Sequence, residues 1–395
     1  MRGAEVFMQS LVDHGVTAIF GNPGTTENSL LDRLIDYPQL RYTVALHEGI
    51  AVAAANFYTQ ACGQPAVANL HVAPGLGNAI GMMYGALKAN APVLVTAGQQ
   101  DTRMRLHNPL LSHDLVAMAQ PVTKFSAQPE HADEIGPMLQ RAFKIALAPP
   151  QGPVFIALPV NVMEQDTSVA ASTAGSVHTG GVDAATITTL YRHLMTSSSP
   201  CIIVGDDATR DGAFDAVVSL ATAIGAPVYN EGLRAQLSFP NRHANYRGRV
   251  PYTHAEIKNL LQDRDLIVLL GGPFFENIWH DTSSPFPSDA RLIQIENNHQ
   301  QLAFNFALDC GVVGNHKHVL TRLIAALENA EADYQDAAKQ RNVELKQRRD
   351  NDAERVQHQL EHSWHNDPID PLRAMHELAN AVPNDCVVVD ESITN

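Results

Sequence analysis

A strand, a helix and a second strand follow one another in residues 66–96, AVANLHVAPGLGNAIGMMYGALKANAPVLVT. The apolar runs at 66–70 and 93–96 are too short for helices and end at polar or Gly/Pro-containing junctions. Between them, residues 78–89 have the length of an amphipathic crossover helix. Strands joined in this way lie parallel in a sheet that is covered on both faces. The stretch therefore predicts an α/β fold with ligands at the carboxyl ends of the strands.

The same alternation continues through the first 165 residues. Short apolar runs at 17–20, 42–46 and 154–158 predict three further strands, and residues 50–60 predict another crossover helix. We therefore expect a first domain over residues 1–165.

A second α/β unit follows a change in composition. Residues 166–185 are rich in Ser, Thr, Ala and Gly, which is typical of a linker. Residues 186–328 then repeat the pattern, with predicted strands at 201–204, 226–229, 266–270 and 292–295. The sequence thus predicts two doubly wound, mainly parallel-sheet domains.

The last part of the chain differs from both domains. Residues 329–366 are polar with little apolar stripe, which predicts a solvated helical connector between domains. Within residues 367–395, a helix is predicted from 368 and a buried type of strand at 386–389. One helix and one strand cannot bury a core, so we expect the start of a third α/β domain.

Charge and composition exclude several classes of function. The formal net charge of −15 disfavours nucleic-acid binding, because no basic patch offsets it. The four cysteines lack disulfide-framework or zinc spacing. No signal peptide or apolar run of membrane-spanning length is present, so we expect a cytoplasmic protein without a membrane partner.

The first candidate binding segment is the turn after the first predicted strand, residues 20–28 (FGNPGTTEN). Gly and Pro favour a tight turn, and free N–H groups at a following helix terminus suit a carboxylate or a phosphate. An N-capped turn without a ligand fits the same residues equally well.

The second candidate segment, residues 69–81, is predicted as a similar loop between a strand and a helix. Its glycines give G-x-G-x-x-x-G, not the dinucleotide pattern G-x-G-x-x-G, so nicotinamide binding has little support. His71 lies at the expected carboxyl end of a strand, where catalytic groups collect, although a structural histidine is the alternative.

Glu48 is the third candidate, between a predicted strand and an almost wholly apolar helix start. One interpretation is a first-turn glutamate stabilised by the helix dipole. The other is a partly desolvated carboxylate whose pKa is raised toward the range useful for proton exchange.

These segments, in this order, resemble the thiamine-diphosphate-dependent 2-oxo-acid decarboxylases and carboligases, and most of all the branch that decarboxylates benzoylformate. The resemblance extends over nearly the whole chain. It is carried by residues 21–25 (GNPGT), 45–48 (ALHE), 69–71 (NLH), 75–79 (GLGNA), 95–100 (VTAGQQ), 148–154 (APPQGPV), 246–248 (YRG), 271–275 (GGPFF) and 390–392 (DES).

The resemblance implies an active site at the interface of a homodimer or homotetramer, with the aminopyrimidine ring of the coenzyme bound by the first domain and its diphosphate bound by the partner. It implies that Glu48 bonds a pyrimidine nitrogen and so promotes formation of the ylide. A small 2-oxo acid then loses CO2 through an enamine and leaves as an aldehyde. The cofactor-binding residues implied are Asn22, Pro23, Glu48, Gly75, Gly77 and Asn78.

The resemblance also implies substrate and catalytic roles. Thr25 stands where the family has a serine that holds the substrate carboxylate, beside Gly24. His71 matches a histidine that handles protons. A second family histidine is replaced by Ile278, and His280, two residues on, is a candidate substitute.

The family's diphosphate site contains Gly-Asp-Gly and a later Asn-Asn, whose oxygens bind Mg2+. This chain lacks Gly-Asp-Gly, so it supplies no predicted metal ligand, and we expect residues 367–395 to be the start of that diphosphate-binding domain. By this reasoning the 395 residues alone are inactive. An acetolactate-synthase-like carboligase and a non-catalytic binding or assembly module are the alternatives, although the former generally lack a histidine matching His71.

Overall fold

The computed structural model describes residues 1–173, 175, 180–275 and 278–390. It divides into two compact units, Met1–Gly180 and Gly181–Asn395, which are considered separately below. The division falls inside the predicted linker, residues 166–185.

The first unit is a six-stranded, wholly parallel sheet in the order β2-β1-β3-β4-β6-β5. Its strands are β1 (Ala18–Gly21), β2 (Arg41–Val44), β3 (Ala66–Leu70), β4 (Val93–Gln99), β5 (Phe125–Ala127) and β6 (Val154–Pro159). Its helices are α1 (Gly3–Asp13), α2 (Asn28–Arg33), α3 (Glu48–Cys62), α4 (Val72–Lys88), α5 (Leu115–Ala119), α6 (Ile135–Leu147) and α7 (Val160–Glu164).

Helices cover both faces of this sheet. Side chains of β3, β4 and β6 alternate between two cores, because successive residues of a strand point to opposite faces. Val67 and Leu94 pack with residues of α1 and α6. Val95 and Phe155 pack on the other face with residues of α3 and α4. This burial on both faces explains the nearly continuous apolar runs of the central strands.

The second unit repeats the architecture, with parallel strands in the order β12-β11-β10-β7-β8-β9. Its strands are β7 (Pro200–Val204), β8 (Val228–Asn230), β9 (Tyr246–Arg249), β10 (Leu266–Leu270), β11 (Arg291–Glu296) and β12 (Cys310–Val313). Its helices are α8 (Ala184–Met195), α9 (Asp206–Arg210), α10 (Phe214–Ile224), α11 (His254–Leu260), α12 (His316–Leu327), α13 (Ala332–Ser363) and α14 (Pro371–Ala381).

The predicted α/β class and both parallel sheets are confirmed. Every predicted strand within the two sheets is present, with ends shifted by a few residues. The sequence missed β5, β9 and β12, which are three or four residues long and lie at or next to a sheet edge. Such strands carry too few residues for an alternation to be recognised.

The predicted strand at 386–389 is wrong. No strand is present there, and Val387, Val388 and Val389 are 86%, 66% and 84% exposed. An apolar run becomes a buried strand only where a neighbouring strand pairs with it, and none does so in the described part of the chain. The helix predicted from 368 begins at Pro371, and residues 391–392 of the DES motif lie outside the described residues.

The predicted polar connector is the 32-residue helix α13. It is less solvated than expected, because it buries Ala338, Leu345 and Leu360. The Arg341 guanidinium, on α13, donates to the carbonyl of Ile224 at the end of α10. No helix in the described part of the chain combines the length and hydrophobicity needed to cross a bilayer.

Candidate functional site

Polar side chains gather at the carboxyl ends of four neighbouring strands of the first unit. Asn22 follows β1, Glu48 follows β2, His71 follows β3, and Gln99 ends β4. Because these strands are adjacent in the order β2-β1-β3-β4, the chain brings the four positions to one edge of the sheet.

Glu48 lies in a cradle of two amide side chains. Asn22 Nδ2 donates to Oε1 at 3.1 Å, and Asn78 Nδ2 donates to Oε2 at 3.0 Å. The residue is only 7% exposed. A Cβ at Gly75 would lie 3.1 Å from Glu48 Oε1, so glycine lets α4 approach the carboxylate. The carboxylate also accepts from its own backbone N–H, and because a carboxylate accepts about four hydrogen bonds, about one acceptor position is left for a ligand.

Of the two interpretations that the sequence left open for Glu48, the structure does not support the one with a raised pKa. Burial raises this pKa, but the hydrogen bonds from Asn78, from the residue's own backbone N–H and from Asn22 more than offset it. The net effect is a pKa below the ordinary value for a glutamate. Glu48 is the first residue of α3, where the helix dipole also favours a negative charge. The side chain is therefore an ionised acceptor.

The predicted glycine loop is also wrong, because α4 begins at Val72 and contains Gly75, Gly77 and Gly81. Of these, only Gly75 lies against Glu48. A Cβ on Gly77 would have one neighbour within 4 Å, the Met118 Cε atom, so the structure does not bring Gly77 to the carboxylate.

His71, the residue before α4, pairs with a carboxylate that the sequence did not mark as functional. Its Nδ1 lies 2.8 Å from Oε2 of Glu27 and 3.2 Å from the hydroxyl of Thr26. The Glu27 side chain is 1% exposed, whereas that of His71 is 28% exposed. Glu27 stands three residues after Gly24 and bonds its N–H, as a capping glutamate would, so the sequence signal resembles an ordinary helix cap.

The turn at Asn22–Thr26 lies against Glu27 and His71, and its Gly24 N–H is bonded within the protein. The Gly24 N–H donates to Glu27 at 2.7 Å, so it is not one of the free N–H groups expected from the sequence. A Cβ on Gly24 would collide with the His71 ring. Pro23 is half-buried, and Thr25 is exposed with its side chain free of any hydrogen bond to a described residue.

A chain of side-chain hydrogen bonds joins strands β2, β3 and β4 next to the turn. Tyr42 Oη donates to Asn69 Oδ1 at 2.9 Å, and Asn69 Nδ2 donates to the Thr96 hydroxyl at 3.1 Å. Burial raises the pKa of Tyr42, so the phenol stays protonated. A Cβ on Gly21 would collide with this phenol.

His280 lies in the second unit, after β10, and is exposed. Ile278, which takes the family histidine's place by direct spacing, is 49% exposed. The catalytic role of His280 stays a prediction. Within the described residues, no group of three or more His, Cys, Asp or Glu side chains is placed to hold a metal ion.

Two family models match the two units. The N-terminal TPP binding domain of thiamine pyrophosphate enzymes matches residues 1–118, and the central domain of the same enzymes matches residues 187–323. The chain belongs to the thiamine pyrophosphate enzymes.

Known thiamine pyrophosphate enzymes resemble the chain in sequence and in structure. Benzoylformate decarboxylase of Pseudomonas aeruginosa is 32% identical over 71% of this chain and 54% of its own length. Acetolactate synthase of Bacillus subtilis is 27% identical over 98% of this chain and 66% of its own length. The crystal structure of benzoylformate decarboxylase from Polynucleobacter necessarius superposes with a TM-score of 0.77 and 28% identity, over 82% of this chain and 61% of that one. The chain thus spans about half to two-thirds of these relatives' lengths.

The Glu48 cradle fits the pyrimidine end of thiamine diphosphate. An ionised, nearly buried carboxylate with an acceptor position left over can share a proton with a ring nitrogen. Because Gly75 has no side chain, no Cβ crowds that carboxylate. Thiamine diphosphate is therefore the cofactor that this domain type binds and that these residues suit.

Proposed function

We propose that the chain supplies the pyrimidine-binding and central domains of a thiamine-diphosphate-dependent decarboxylase that converts a benzoylformate-like 2-oxo acid to an aldehyde and CO2. The observation that carries the proposal is the nearly buried Glu48 carboxylate, which accepts hydrogen bonds from Asn22, on the turn that also bears Gly24 and Thr25, and from Asn78 on α4. The match to benzoylformate decarboxylases over most of the chain supports the same reaction.

Each residue of the site has a proposed task. Glu48 shares a proton with a pyrimidine ring nitrogen and accepts its hydrogen bond when that nitrogen is protonated, which the nearly buried, ionised carboxylate strengthens. Asn22 and Asn78 fix its two oxygens, Pro23 stiffens the turn, and Gly75 and Gly77 leave room along α4. When bound, thiamine diphosphate supplies the carbanion that attacks the 2-oxo carbon and the electron sink for decarboxylation.

The substrate end of the site is proposed to lie at Thr25 and His71. The exposed Thr25 hydroxyl, next to Gly24, is free to donate to the substrate carboxylate. His71 exchanges the proton that the aldehyde product needs, because its ring is partly exposed and one ring nitrogen is held by Glu27. His280 is proposed as a second proton-transfer group.

Mg2+ is the proposed metal, because the diphosphate and the family's Asp and Asn side chains would offer it the oxygen ligands that it prefers. The described residues offer no such cluster. We place the metal ligands in the diphosphate-binding part of the enzyme.

A homodimer or homotetramer is the proposed assembly. Large apolar side chains on α3 and α4 are exposed, namely Ile50 at 56%, Phe57 at 61%, Met82 at 45% and Tyr84 at 54%. Exposed apolar side chains concentrated on two packed helices are typical of an interface. Sedimentation of the enzyme checks this, and a monomer at micromolar concentration would contradict it.

An acetolactate-synthase-like carboligase is the second candidate, favoured by the match to the Bacillus subtilis enzyme over 98% of this chain. Product analysis separates the two. The enzyme that carries this chain is supplied with thiamine diphosphate, Mg2+ and either benzoylformate or pyruvate. We expect benzaldehyde and CO2 from benzoylformate, and acetolactate from pyruvate as the main product would instead establish the second candidate.

A further inference from the structure

Glu27 is a buried carboxylate whose only part in the proposed function is its contact with His71. Its side chain is 1% exposed, and no Lys or Arg side chain forms an ion pair with it among the described residues. Its two oxygens accept four hydrogen bonds instead. The donors are Gly24 N at 2.7 Å, Thr26 Oγ1 at 2.7 Å, His71 Nδ1 at 2.8 Å and Gly98 N at 2.9 Å.

The hydrogen bonds around His71 fix where its proton lies. The single hydroxyl proton of Thr26 is donated to Glu27, so the Thr26 oxygen can only accept from the ring. The Glu27 carboxylate can also only accept. Both neighbours of Nδ1 are therefore acceptors, and Nδ1 must carry a proton.

The other ring nitrogen, Nε2, has no hydrogen-bond partner among the described residues, and the His71 side chain is 28% exposed. The ring cannot shift toward the turn, because it lies against Gly24 so closely that a Cβ there would collide with it. Directly after His71, Val72 has a φ of 45°, a left-handed conformation that is rare for a β-branched residue. The backbone is therefore strained at Val72, the residue directly after His71.

We propose that Glu27 is a positioning residue that fixes neutral His71 as its Nδ1–H tautomer, so that Nε2 is the only atom at which His71 accepts or returns a proton. The inference rests on the proposed function only in assigning that proton to the substrate reaction.

A glutamate is required because all four donors need acceptors. In Glu27→Gln the amide nitrogen would face two of the donors, which leaves buried N–H or O–H groups without an acceptor. The side chain would then turn to relieve that mismatch, and Nδ1 of His71 would lose its fixed acceptor.

The test is the tautomer of His71, read from long-range 1H–15N NMR spectra of the coenzyme-free chain labelled with 15N-histidine. The His71 signals are assigned by comparison with His71→Phe. We expect the Nδ1–H tautomer in the wild type and a mixed or Nε2–H state in Glu27→Gln. Glu296→Gln is the matched control, because Glu296 is also buried and accepts the backbone N–H groups of Gly272 and Asn298, but it lies in the second unit.

The control must leave the His71 signals unchanged. A wild-type His71 with its proton on Nε2 overturns the proposal, and so does a folded Glu27→Gln that keeps the wild-type tautomer. If Glu27→Gln does not fold, Thr26→Val decides, because it removes the second acceptor but keeps Glu27. Retention of the Nδ1–H tautomer then supports Glu27, whereas a switch assigns the role to Thr26.

These spectra need neither coenzyme nor substrate, so they test the role of Glu27 even if the proposed reaction is wrong. In the active enzyme, Glu27→Gln is expected to lower kcat at least about 10-fold with little change in KM, within the range that one general acid–base group contributes. A normal tautomer effect without this loss would overturn the proposed role of His71 and leave the positioning by Glu27 intact.

Discussion

Two buried glutamates near one turn have different tasks because their partners differ. Glu48 accepts from two amide side chains and from its own backbone N–H, which leaves about one acceptor position for a ligand. Glu27 accepts four donors from the protein itself and has no capacity left. At the residue scale, the number of donors already bound therefore separates a ligand-binding carboxylate from one that orients a neighbour.

The lowered pKa of Glu48 gives a pH-dependent prediction for Asn78→Ala. A carboxyl group whose pKa is lower in the folded state contributes stability above its unfolded pKa, and this contribution is lost as pH falls through the folded pKa. Because Asn78 is the strongest of the hydrogen-bonding causes, Asn78→Ala should cost about 1–2 kcal/mol of the free energy of unfolding at neutral pH.

Urea unfolding at neutral pH and at about pH 4, near the ordinary pKa of a glutamate, measures this cost. We expect the difference between wild type and Asn78→Ala to shrink at the lower pH. A difference that stays constant or grows on acidification would show that Asn78 does not stabilise the ionised Glu48.

At the element scale, the sequence predicted β3 residue for residue but misplaced the start of α4 by six residues. Pro74 and the glycines after it suggested a loop. Proline is tolerated in the first helical turn, however, because its missing N–H would have no partner there. Gly75 does not form a turn; it lies within the helix, where the missing side chain lets the backbone come close to Glu48.

The pairing of Glu27 with His71 joins residues 44 positions apart, and nothing in either local segment encodes it. The order β2-β1-β3-β4 creates it by placing the turn after β1 next to the end of β3. The sequence could therefore supply Glu48, His71 and the turn as separate candidates. Their hydrogen-bond partners depended on the tertiary structure, and so did the sign of the pKa shift of Glu48.

The contact between α10 and α13 gives a prediction at this scale. Gly225 ends α10 with a φ of 60°, and a Cβ there would collide with the Ala338 carbonyl of α13. Gly212→Ala is the matched control, since Gly212 has a φ of 68° in the same unit but nothing within 4 Å of such a Cβ.

The control should cost about 1 kcal/mol of the free energy of unfolding, from the backbone conformation alone. Gly225→Ala should cost about 2–4 kcal/mol, because overpacking adds to it. Chemical denaturation measures both. Equal losses would mean that α13 does not pack on the end of α10.

At the scale of the whole molecule, each unit is a complete doubly wound sheet with its own core. Of the residues proposed for the active site, all except His280 belong to the first unit. Short apolar runs that alternate with helical segments were enough to predict both sheets, because a strand buried on two faces is a nearly continuous apolar run. The run at 386–389 carries the same signal and forms no strand, because the signal reports hydrophobicity and not the presence of a partner strand.

The central claim is that the Glu48 carboxylate enables a thiamine-diphosphate reaction, and the turnover of Glu48→Gln tests it most directly. Aldehyde and CO2 release from benzoylformate is measured for the enzyme that carries this chain, with saturating thiamine diphosphate and Mg2+, beside the exposed control Glu164→Gln. We expect Glu48→Gln to lower kcat by about 100-fold or more, as loss of a proton-handling group does, while thermal unfolding shows a folded protein and the control keeps wild-type turnover. A Glu48→Gln enzyme that turns over at the wild-type rate would contradict the account.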